Sequence, residues 1–96
     1  MKAVYHPAVK ADVSRILRHY DSINGQLGDD FWEELNSFIQ RAVANPQQFH
    51  FQGGNRRRVN LTRFPYHFLF REVPGGIRIT VIRHNRQHPE HGLKRR

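Results

Sequence analysis

Apolar positions follow two rhythms along this chain, and the change falls near the middle. The opening stretch "KAVYH" (Lys2–His6) alternates like a short strand, with Ala3 and Tyr5 on one side and Val4 on the other. Pro7 suits the first turn of a helix, where its missing N–H costs little. Val9, Val13, Ile16, Leu17 and Tyr20 then recur at spacings of three and four, the stripe of an amphipathic helix. "NGQLGDD" interrupts that rhythm with two glycines. A second helix is expected from Asp29 or Asp30, acidic residues that complement a helix N-terminus. Phe31, Leu35, Phe38, Ile39 and Ala42 form its apolar face. Asn45-Pro46 ends it, because a residue before proline is pushed away from helical backbone.

After residue 50 the period is two. "RRVNLTRF" puts Val59 and Leu61 on one face, Arg58, Asn60 and Thr62 on the other. "YHFLFREV" separates Tyr66, Phe68 and Phe70 from His67, Leu69 and Arg71. Pro74-Gly75-Gly76 marks a tight turn. "IRITVIRH" separates Ile77, Ile79 and Val81 from Arg78, Thr80 and Ile82. These are half-covered strands of a meander. The order β-α-α-β-β-β predicts a small α+β domain spanning residues 1–96, with a helical hairpin packed on one face of a mainly antiparallel, twisted sheet. Residues 87–96 form a basic C-terminal tail, a kind of segment in which mobility concentrates.

Charge sharpens this picture. Residues 1–54 hold five basic and six acidic side chains, a net of −1; residues 55–96 hold eleven basic and two acidic, a net of +9. The basic side chains therefore gather on the sheet rather than on the helices, which points to a polyanionic partner, nucleic acid or acidic protein. The absence of cysteine excludes disulfides, thiol catalysis and cysteine zinc sites, and fits a reducing cytoplasm. No apolar run approaches the roughly 20 residues that span a bilayer, so no membrane role is expected.

Three chemistries compete for the basic half. His84, His88 and His91 have spacings that bring imidazoles together only on a helix, and Pro89 interrupts the segment, so no metal site and no cofactor are expected. Arg56, Arg57 and Arg58 follow the Gly53-Gly54-Asn55 loop; alternation places Arg56 and Arg58 together, where guanidinium forks suit phosphate. Arg63, Arg71, Arg83 and Arg86 extend the set of candidate phosphate- or target-binding residues. Metal-free RNA cleavage needs a base, an acid and cations on the phosphorane. Arg58 and Arg86 could supply the cations, and His84, His88, His91 or His67 could move the protons.

The segment "RRVNLTRFPYHFLFREVPGGIRITVIRHNRQHP" resembles the C-terminal half of RelE/ParE superfamily toxins of type II toxin–antitoxin modules. Pro7 with its helix, followed by "FWEELNSFIQRAVANP", resembles their N-terminal half. The block "FPYHFLFR" with the ending "HNRQHP" leans toward the ParE-like, plasmid-stabilisation branch. The resemblance implies a cytoplasmic, growth-arresting toxin neutralised by a cognate acidic antitoxin. It implies one of two targets: DNA gyrase, poisoned without nuclease chemistry, or ribosome-bound mRNA, cleaved without metal. Arg58 and Arg86 match two positions of the nuclease pattern. Asn60 stands where that pattern has a second lysine, His67 where it has an arginine, and Gly92 near its tyrosine. Gyrase is therefore preferred over an mRNA endoribonuclease. A non-toxic binding module that keeps only the partner surface is the third reading.

Overall fold

A computed structural model describes all 96 residues. The elements run β1 (Lys2–Tyr5), α1 (Val9–Ile23), α2 (Gly25–Ala44), a 3₁₀ turn (Pro46–Gln48), β2 (Phe51–Gly53), β3 (Arg56–Asn60), β4 (Tyr66–Val73) and β5 (Gly76–His84). The strands form one sheet in the order β1-β5-β4-β3-β2. β2 through β5 are an antiparallel meander, and β1 joins β5 in parallel at the far edge. The α+β architecture and its order are as the sequence indicates, with β2 added as a three-residue edge strand.

Both helices cover one face. Val9 and Ile16 of α1 and Phe31, Leu35, Ile39 and Ala42 of α2 bury against Val59, Phe68, Phe70, Ile77, Ile79 and Ile82 of the sheet. Aromatic rings close one end of this core. Phe31, fully buried, lies edge-on to Phe64 and Tyr66, and Tyr20 stacks beside it.

The helical hairpin turns on a single residue. The Asn24 N–H donates to the Tyr20 carbonyl, ending α1, while its Oδ1 accepts the Gln26 N–H and starts α2. So α2 begins at Gly25, one turn before Asp29, and both glycines lie inside it. Gly28 is buried, and a Cβ there would strike the Asp21 carboxylate of α1. The break falls at Asn24, and Gly28 serves a close helix–helix approach instead.

A second departure lies in β5. Phe70 pairs with Ile79 but Leu69 pairs with Val81, so Thr80 is an extra residue, a bulge. One added residue reverses the alternation beyond it. Ile82 therefore faces the helices, and Val81 and Arg83 face the opposite side, the reverse of strict alternation for Val81 and Ile82.

Candidate functional site on the open face of the sheet

The face turned away from the helices collects the polar half of each strand. Arg58, Leu69 and Val81 form one cross-strand row; Asn60, His67 and Arg83 form another. Arg71 and Arg78 are direct partners further along, near Arg56. The Thr80 bulge is what brings Arg83 into line with His67.

This face is not bare. Residues 85–96 lie across it in successive turns, closed by hydrogen bonds from His91 N–H to His88 O, Leu93 N–H to Glu90 O and Arg95 N–H to Gly92 O. Leu69 and Val81 are buried although neither belongs to the helix-side core. Gly92 fits the tail onto the sheet. Its φ of 77° is left-handed, and a Cβ would lie 2.6 Å from Val81 Cγ2.

Two buried polar groups hold the tail. The Arg83 guanidinium donates through one nitrogen to the Pro89 and His91 carbonyls, each at 2.7 Å, and through Nε to His67 Nε2 at 2.9 Å. Because Nε2 accepts, the imidazole proton is assigned to Nδ1, which donates to Asn85 Oδ1 at 2.8 Å. His67 is thus a neutral bridge. Burial, outweighing the Asn85 bond that favours the cation, pushes its pKa down to about 4; Arg58, Arg83 and His84 add to the drop. Burial, then Arg58, lowers that of Arg83.

The second group is Asp12, fully buried on α1. β1 pairs with β5 only as far as Ile79, which leaves the next stretch of the β5 edge open. Asp12 Oδ2 accepts the Ile82 N–H there at 3.1 Å and an Arg95 guanidinium nitrogen at 2.6 Å, and Arg15 approaches Oδ1 at 3.2 Å. Arg95 also donates to the Thr80 carbonyl. One carboxylate ties helix, sheet edge and tail together. A carboxylate amid the Val9, Val13 and Ile16 stripe was the available sequence signal; Arg95, eighty-three positions away, gave none.

The residues singled out from sequence divide into separate groups. Arg58 lies on the open face, its Nε donating to Asn60 Oδ1. Arg83 is buried beside it, and His84 packs edge-on to Tyr66 at 5.0 Å. Arg56 and Arg71 line a cavity at the opposite end. Arg86 and His88 are exposed, and the Nδ1 atoms of His84 and His88 accept backbone N–H groups from Arg86 and Glu90. His91 turns toward Asp12 at 3.8 Å. Arg63 leaves the face: it pairs with Asp30 of α2 at 2.8 Å and covers the Phe64 ring. No three metal-ligating side chains converge anywhere.

The helix side carries a contrasting feature. An apolar groove of about 550 Å³ runs between α1 and α2 past the end of β1, lined by Val9, Val13, Leu17, Trp32, Leu35 and Ile39. Trp32 is 49% exposed, a large aromatic left uncovered on a small domain.

No family model matches the sequence, and no curated protein matches it. Among solved structures, the chain is similar to one from the chromosomal ParDE TA system of P. aeruginosa, with a TM-score of 0.75 and 19% identity over 88% of this chain and 95% of that one. At that identity the likeness is one of fold.

Proposed function

We propose that this protein is the toxin of a type II toxin–antitoxin pair, that it arrests growth without nuclease chemistry, and that DNA gyrase is its target. The observation that carries the reading is the shared fold with a ParDE chain over nearly the full length of both. The arrangement of side chains supports a non-nucleolytic action. Both ring nitrogens of His67 are engaged in the sheet-to-tail bridge, and the Nδ1 atoms of His84 and His88 are bound to backbone. Arg86 projects from a turn, while Arg58 is tied to Asn60.

The same fold provides for an antitoxin. An amphipathic, acidic segment would lay its apolar side in the groove beside Trp32, and its continuation would pass round the sheet edge to bring carboxylates to the basic open face. Such a segment orders on binding and is recruited by charge.

Induced expression in a bacterial host is expected to stop growth, and the purified protein to inhibit supercoiling by gyrase while leaving ribosome-bound mRNA intact. The nuclease alternative draws support from Arg58 and Arg83, which lie on the open face in adjacent cross-strand rows. It prevails if A-site codons are cut and Arg58→Ala abolishes the cutting. Growth without arrest removes both toxin readings and leaves the binding module.

A further inference from the structure

At the end of the open face remote from His67, the β2–β3 turn and the C-terminal tail enclose a cavity of about 650 Å³. Asn55, Arg56, Arg71, Leu93, Lys94 and Arg96 line it. Four of the six are cations and none is acidic. Three other arginines meet carboxylates, Arg57 with Glu72, Arg63 with Asp30 and Arg95 with Asp12, and the buried Arg83 is met by two carbonyls and His67. No carboxylate pairs with Arg56, Arg71, Lys94 or Arg96.

The concentration of charge has a cost inside the fold. Arg71 stands directly opposite Arg78 on the neighbouring strand, an arrangement that destabilises a sheet. The Arg56 guanidinium donates to the Arg95 carbonyl, yet its Nε is buried without any partner. A buried donor left unmet is unfavourable until an acceptor arrives. Burial, then Arg71 and Arg96, already bias Arg56 against its charged form.

We propose that this cavity binds a compact oligophosphate, three linked phosphates carried by a nucleotide or by a short inorganic polyphosphate. Guanidinium forks match phosphate oxygens, and the ligand's charge of about −3 to −4 would offset the four cations. Leu93 is the sole apolar side chain in the lining, so there is no aromatic platform for a base. Recognition is of the phosphates. An extended nucleic-acid strand spreads its charge along a groove rather than into one cavity. The site stands whether or not the chain is a toxin.

Calorimetry and thermal melting of the full chain with sodium tripolyphosphate, ATP and orthophosphate test the proposal. Tripolyphosphate and ATP are expected to bind one to one with similar affinity, and orthophosphate at least about tenfold more weakly. Saturating tripolyphosphate, at a hundred times Kd, should raise Tm by about 10 °C or more. Arg71→Ala removes the repulsion with Arg78 and should fold well, yet weaken tripolyphosphate about tenfold or more. Arg56→Lys, which keeps the charge but not the fork, should weaken it less. The charge-matched pair Arg18→Ala and Arg41→Ala, on the helices, should leave it within about twofold. Tripolyphosphate binding unchanged by Arg71→Ala overturns the assignment. So does ATP binding with no tripolyphosphate binding, or a 20-nucleotide DNA or polyglutamate that depends on Arg71 when tripolyphosphate does not bind.

Discussion

The two faces of the sheet are both covered, but by different physics. On one side α1 and α2 bury aromatic and aliphatic side chains, and stabilisation follows the apolar area removed from water. On the other, twelve residues rich in arginine and histidine lie over just two apolar side chains, Leu69 and Val81, and are held by hydrogen bonds from Arg83 and to Asp12. The first layer is non-directional and tolerant of small shifts. The second depends on a few charged groups in fixed geometry, each expensive to leave unmet. A function that requires exposure of the sheet is better served by the second layer.

The sharpest way to break this contrast is to remove one large side chain from each layer. Phe31→Ala, in the helix-side core, should cost about 3–5 kcal/mol in urea unfolding. Leu69→Ala, beneath the tail, should cost about 2–5 kcal/mol if the tail is a true second layer. A loss below about 0.5 kcal/mol would show instead that water already reaches Leu69 in solution.

A smaller effect is expected from pH, and it tests the polar layer alone. Unfolded, the His67 imidazole titrates at 6.5; folded, at about 4. Between those values the unfolded chain binds the extra proton, so His67 lowers stability as pH falls from 6.5 toward 4 and contributes no slope above that window. His67→Gln should flatten the melting-temperature profile in that interval relative to wild type. Parallel profiles would mean that His67 titrates normally and the bridge to Arg83 is not formed.

Gly92→Ala comes next. The left-handed backbone alone costs a non-glycine residue about 1–2 kcal/mol, and the contact with Val81 pushes the tail outward. Faster hydrogen exchange at Leu69 and Val81, with the Phe31 region unchanged, is the expected signature; uniform exchange would tie the two layers into one cooperative unit. The smallest effect has the opposite sign. Arg71→Ala should stabilise the chain by about 0.2–1 kcal/mol by relieving its opposition to Arg78. A loss of stability would mean that Arg71 has a counter-charge in solution.

Local chemistry made much of the fold legible in the sequence. The three-four spacing of Val9 to Tyr20 and of Phe31 to Ala42 marks two helices, since an amphipathic stripe has only one way to bury itself. Alternation through Arg56–Val59 and Tyr66–Arg71 correctly assigns Arg56 and Arg58 to one face and Phe68 and Phe70 to the other. Pro74-Gly75-Gly76 turns where its composition demands.

What the tertiary structure alone decided are features set by distant partners. Nothing local distinguishes Thr80 as a bulge, because the bulge exists only in its register against Leu69 and Phe70. Yet it selects which of Val81, Ile82 and Arg83 reaches the open face. Gly28 sits inside α2 because the Asp21 side chain of α1 occupies the space where a Cβ would go. The stretch "VIRHNRQHPEHG" reads as the end of a strand running into a cluster of arginines and histidines. It becomes a layer on the sheet because Arg83 binds the Pro89 and His91 carbonyls, and because Asp12, seventy residues before Ile82, meets both the β5 edge that β1 leaves open and Arg95 just beyond the stretch. Periodicity reports what a residue's neighbours in the chain require; a buried charge reports what its neighbours in space supply.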